Sequence, residues 1–151
     1  MSTQKYVSDI KTINHSQEIV YNHLSNFENL STFVNNGLLS KINEQVPQIK
    51  IDNFNSDKDS CHFTISGMGE AELRITNREP LKTIKVTSSG KFPISLTFWI
   101  QLLPEGSGQS KLRLTMHAEM SAMIKMMVHK KLEQGIDQMA DMLTTLPYPE
   151  E

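Results

Sequence analysis

The sequence predicts an α+β fold in which a curved antiparallel sheet of about seven strands is wrapped on one long C-terminal helix, with two short helices between strands 1 and 2. Three observations predict it. From Ile49 to Glu119 apolar and polar residues alternate with period two between regularly spaced turn signals, the pattern of a meander with one wet and one covered face. The segment Met120 to Leu146 is apolar at 120, 123, 124, 127, 128, 132, 136, 139, 143 and 146, a helical spacing. Near the start, Ser16 and Glu18 open a run in which Ile19, Val20, Leu24 and Phe27 recur at helical spacing.

Each element follows from local chemistry. Lys5 to Asn14 holds Tyr6, Val7, Ile10 and Ile13 among polar residues and reads as the first strand. The helix opened by Ser16 extends as far as Asn29, and a second short one covers Leu30 to Ser40, or continues toward Gln45, before Pro47 stops it. Ile49 and Ile51 begin the meander, and Asn55-Ser56-Asp57-Lys58-Asp59 turns it. Cys61, Phe63 and Ile65 then alternate with polar partners up to the turn Gly67-Met68-Gly69. Ala71, Leu73 and Ile75 follow, and Arg78-Glu79-Pro80 turns into Ile84 and Val86. In the longest strand Ile94, Leu96, Phe98, Ile100 and Leu102 share one face while Trp99 points the other way. Pro104 to Gly108 turns into Leu112, Leu114, Met116 and Ala118. A helix from Met120 to Leu146 would span about 40 Å, enough to cross the sheet. Gly135 inside it suggests a close backbone approach, Pro147 ends it, and Tyr148 to Glu151 is expected to fray.

Composition narrows the function classes. The 151 residues are 38% hydrophobic and 21% charged with 7 Gly and 6 Pro, the profile of one globular domain spanning 1–151. Lysine plus arginine number 15 against 17 acidic residues, a net charge of −2, so the concentrated basic footprint of a nucleic-acid binder is missing. Cys61 is the one cysteine; it suits a reducing compartment and excludes an internal disulfide. Met1 to Lys5 is followed by no apolar stretch, and the longest apolar runs fall far short of the ~20 residues of a membrane helix. A cytoplasmic protein without stable membrane insertion is expected, with a homodimer left open.

The run Ile13-Asn14-His15-Ser16-Gln17-Glu18-Ile19-Val20 followed by Leu24-Ser25-Asn26-Phe27-Glu28-Asn29-Leu30 resembles the entry of the SRPBCC superfamily, the START-like and polyketide-cyclase-like helix-grip proteins. Asp often stands there at the place of Asn26. Glu79-Pro80-Leu81-Lys82, Leu102-Leu103-Pro104-Glu105-Gly106 and the closing helix are similar to it as well. The resemblance covers nearly the whole chain and implies an apolar cavity between sheet and long helix. Its motifs are structural, and the superfamily includes lipid carriers, hormone receptors, cyclases, ubiquinone-binding proteins and chaperone activators, so fold limits function only loosely.

Expected on the inward face are Cys61, Phe63, Ile65, Ala71, Leu73, Ile75, Ile84, Val86, Ser88, Ile94, Leu96, Phe98, Ile100, Leu112, Leu114 and Met116. The wall of the cavity is assigned to Phe63, Ile65, Leu73, Ile75, Val86, Leu96, Phe98, Leu114 and Met116 of the sheet with Met120, Ile124 and Met127 of the helix. No catalytic constellation, metal set or cofactor motif is visible: only Ser88 and the Cys61 thiol are polar on that face, and the five histidines lack ligand spacings. Met116, Met120, Met123, Met126 and Met127 gather where the last strand enters the helix, as adaptable pocket wall or ordinary core. Lys125, Lys130 and Lys131 beside them read as a solvated helix face able to attract an acidic head group, and Trp99 as a ring covered by a loop or the first strand. Binding of a hydrophobic or amphipathic small molecule is the leading expectation. The alternatives are a cyclase or dehydratase using Tyr21, Asn35 or Asn36, and a protein-interaction module with a filled core.

Overall fold

The computed structural model describes residues 2–29, 50–67, 69–89 and 94–149, together with positions 40 and 44. In chain order the elements are β1 (Ser2–Val7), β2 (Lys11–Ile13), α1 (Gln17–Leu24), β3 (Ile51–Ser56), β4 (Ser60–Ile65), β5 (Gly69–Glu79), β6 (Thr83–Ser89), β7 (Ser95–Glu105), β8 (Gln109–Met120) and α2 (Ala122–Thr144). All strands join one antiparallel sheet ordered β1-β8-β7-β6-β5-β4-β3, with β2 also on β8. This is the anticipated α+β architecture, with eight strands rather than seven. The short helix expected over 30–40 lies outside the described residues.

The extra strand comes from a bulge. Val7 pairs with Thr115 and Lys11 with Leu112, so the entry strand carries one residue more than β8 and breaks into two. Ser8 fills the gap: its N–H donates to the Leu114 carbonyl and its Oγ accepts from the Leu114 N–H, both at 2.9 Å. The kink also frees the Asp9 N–H to donate to Asp137 Oδ1 of α2 at 2.8 Å, while Lys11 Nζ reaches Asp137 at 2.9 Å and Asp141 at 3.0 Å. Ile10, expected to be apolar strand, is left exposed by this break.

Turns fall slightly later than the sequence suggested. β3 runs through Ser56, and the turn is closed by Asp57, whose Oδ1 accepts from the Asp59 N–H, the Ser60 N–H and Ser60 Oγ. These donors hold its carboxyl below the ordinary value, the Asp59 N–H foremost. β5 continues through Glu79, leaving Leu81 to turn the chain at φ 68°, and β7 continues through Pro104, which pairs with Ser110. A second bulge between Ile75 and Asn77 swings Arg78 toward the end of α1, where Nε donates to the Ser25 carbonyl at 3.0 Å and Nη2 meets Asp59 at 2.7 Å.

Both described helices are capped by serine. Ser16 Oγ accepts from the Ile19 N–H and Ser121 Oγ from the Ile124 N–H, each at 3.3 Å. α1 is shorter than expected, ending at Leu24, and Met120 belongs to β8 rather than to the helix. α1 packs on β7 and β8 through Val20, Tyr21 and Leu24, and α2 packs on β8, β1 and β2. The core between them holds Ile13, Ile84, Leu102, Leu112 and Met120, all fully buried. Each such side chain contributes about 1.5–3 kcal/mol through loss of apolar surface to water.

The C-terminal tail does not fray as expected up to Tyr148. That side chain is buried, its hydroxyl donates to the Leu143 carbonyl at 2.6 Å, and its ring meets those of His15 at 5.3 Å and His23 at 6.2 Å. An aromatic ring after the helix-breaking Pro147 finds a pocket that the local sequence does not announce.

Candidate functional site

Strand registry builds the inner face row by row. Cys61, Leu73 and Ser88 are cross-strand neighbours, as are Ile75, Val86, Phe98 and Met116, and Ile84, Ile100 and Leu114. The alternation read from sequence therefore put the right residues on one face. They are not equally covered. Ile75, Val86, Leu114, Met116 and Met120 are buried in the core, while Phe63, Ile65, Leu73, Leu96, Phe98 and Ile124 are only partly buried. Phe54 of β3, not anticipated, adds a ring stacked on Phe63 at 6.3 Å. The sequence reading starts the turn at Asn55, directly after Phe54, and so assigns that ring to no face.

Met127 departs from its expected place. It is 69% exposed, as Met123 is at 73% and Met126 at 88%. The reason is helical phase: Ile124, Val128, Leu132 and Ile136 recur every four residues, so the packed stripe drifts by about 40° per step away from Met127, which is left roughly 120° from its centre. Tyr21, weighed as a catalytic group, is core; Asn35 and Asn36 lie outside the described residues. Trp99 is on the outer face, half-buried against the His117 ring at 4.7 Å with Lys85 Nζ 5.8 Å above it, rather than beneath a loop or β1.

Polar groups on the inner side have partners within the fold. Ser88 Oγ accepts from the Leu96 N–H at 2.7 Å. Burial pushes the Cys61 thiol up to about 12, the opposite of an activated nucleophile. Tyr6 of β1 and His129 of α2 share a hydrogen bond of 2.7 Å, and Glu133 lies 3.4 Å from the other ring nitrogen. Burial, reinforced by the Glu133 charge, raises the phenol above its ordinary value, so Tyr6 enters this pair as a neutral hydroxyl.

A cleft of about 800 Å³ lies at the β3–β5 end of the sheet, lined by outward Asn55, His62, Thr64, Glu70, Glu72 and Ser89 together with Asn53, Gly69 and the inward Phe63 and Ala71. Ser89 Oγ donates to Glu72 Oε1 at 2.6 Å and His62 Nε2 is hydrogen-bonded to Glu72 Oε2. Ser89 first and His62 second hold the Glu72 carboxyl below its usual range. The order of these groups matters: the hydroxyl contacts the carboxylate rather than the imidazole, so His62 is not placed to take the Ser89 proton as in a Ser-His-acid arrangement. His62 was rightly read as outward, but its pairing with Glu72 follows only from strand register. Among the described residues no group of three or more His, Cys, Asp and Glu side chains could hold a metal ion.

This arrangement, a long helix gripped by a curved antiparallel sheet with a second described helix at one end, is the helix-grip fold. Truncated norcoclaurine synthase from Thalictrum flavum is similar at a TM-score of 0.63 and 14% identity, over 100% of this chain and 98% of that one. The same protein in complex with dopamine and hydroxybenzaldehyde gives 0.62 at 13% identity, over 95% of this chain and 85% of that one. The Zhui aromatase/cyclase from Streptomyces sp. R1128 gives 0.56 at 9% identity, over 95% and 92%. No protein-family model matches the chain, and no curated protein matches it in sequence. At such identities the likeness speaks for the fold alone. No described helix is long and apolar enough to cross a membrane.

Proposed function

We propose that the protein binds an apolar or amphipathic small molecule, lipid-like, quinone-like or aromatic, against the inner face of its sheet. One observation carries the reading. Phe54, Phe63, Leu73, Leu96 and Phe98 form a continuous apolar wall that is only partly buried, while the same face under the two helices is sealed. Among the described elements, packing of α2 on β8, β1 and β2 leaves the β3–β5 half of that wall as the surface a ligand would cover. Among the described residues, inward Ser88 and the Tyr6–His129 pair already have partners, which favours holding a molecule over transforming it. In norcoclaurine synthase the same fold is seen with dopamine and hydroxybenzaldehyde, two aromatic compounds. The unpaired, buried Cys61 agrees with a reducing, cytoplasmic setting.

The experiment is native mass spectrometry of the purified protein, organic extraction of what accompanies it, and titration with anilinonaphthalene sulfonate. A co-purifying apolar compound, or saturable probe binding that the compound displaces, is expected. A protein that carries nothing and takes up no probe would overturn the proposal and favour a filled-core interaction module.

A further inference from the structure

The outer face of the first turns of α2 has no counterpart in this ligand reading. Met123, Met126, Met127, Lys130 and Lys131 stand at spacings of three, four, seven and eight residues from the first and so form one stripe. All five are exposed, on the flank of the helix beside the stripe of Ile124, Val128 and Leu132 that packs on the core. Exposed large apolar side chains so grouped are unusual on a soluble protein. The charge is also local: no acidic residue occurs from Met120 to Leu132, in a chain whose net charge is −2.

We propose that this stripe docks the protein, peripherally and reversibly, on an anionic lipid surface. Lys130 and Lys131 complement lipid phosphates and carboxylates, and the methionines enter the boundary between head groups and acyl chains. A second copy is disfavoured because a two-fold contact through the stripe offers Lys130 and Lys131 no acidic partner, none lying between Met120 and Leu132. An acidic protein is disfavoured because the methionines project from a convex helix and offer no concavity for a partner's side chains, whereas a fluid surface accepts them. The inference is independent of what the inner face binds.

Flotation tests it, using vesicles of phosphatidylcholine alone or with phosphatidylserine as a minor component. The protein is expected to float with the anionic vesicles only and to be released by high salt. Lys130→Gln and Lys131→Gln should each weaken partitioning about fivefold. Met123→Gln/Met126→Gln/Met127→Gln should weaken it about a hundredfold or more. Because these positions are exposed, circular dichroism should be unchanged. The pair Lys58→Gln/Lys82→Gln, exposed elsewhere, should float like the parent. Absence of flotation, flotation unaltered in the triple methionine variant, or a dimer in sedimentation that this variant disperses would each overturn the proposal.

Discussion

At the residue scale, Phe98 and Met127 separate two roles that a shared hydrophobic character conceals. Phe98 is partly buried on the inner wall beside Val86 and Met116, so Phe98→Asp should abolish probe uptake by placing an unpaired charge there. Phe98→Leu should keep uptake, and circular dichroism identifies variants that remain folded. Met127→Asp, on an exposed position, should leave both fold and uptake unchanged. Cys61 gives a second residue-level test. Its buried, poorly ionised thiol should resist iodoacetamide in the native protein and react once denatured, as mass spectrometry would show.

At the element scale, the chain ends of the fold are fastened by groups far from each other in sequence. Tyr148 locks the segment after α2 onto the region of α1 through His15, His23 and the Leu143 carbonyl. Tyr148→Ala should cost about 3–5 kcal/mol, from the lost ring and the cavity left behind. Tyr148→Phe removes only the hydroxyl and should cost about 1 kcal/mol, both read from denaturant unfolding. Periodicity made the strands and α2 legible because one face of each is covered. The bulge at Ser8 was not legible, since an inserted residue leaves local alternation nearly intact and shows only when β8 supplies the register.

At the scale of the whole molecule, pH should act on stability through that same cluster from both sides. Burial lowers the His23 imidazole below its ordinary 6.5, so the unfolded chain takes up the proton more readily. Stability is complete above pH 6.5 and falls as the pH drops below it. Burial raises the Tyr148 phenol, so its contribution is complete below pH 10.0 and is lost as the pH rises beyond. The thermal midpoint should therefore decline on both limbs. His23→Gln should flatten the acid decline and Tyr148→Phe the alkaline one; a midpoint whose limbs are unchanged in these variants would remove the assignment. Lowered carboxyls at Asp137, through the Asp9 N–H and then Lys11, add a further loss at more acid pH, below 3.8.

The sequence by itself determined the α+β class, the faces of the strands and the inward set from Cys61 to Met116, because a period of two or of 3.6 residues is a local consequence of one-sided burial. It also determined that the inward set would be poor in catalytic groups. Only the tertiary structure decided which inward residues are buried and which only partly so. Coverage depends on where α1 and α2 lie across the sheet, and no local pattern records that. The same holds for Met127 and the methionine stripe, for Tyr6 meeting His129, and for His62 meeting Glu72. Helical phase and strand register turn sequence neighbours apart and bring distant residues together, and both are fixed by packing of the whole chain.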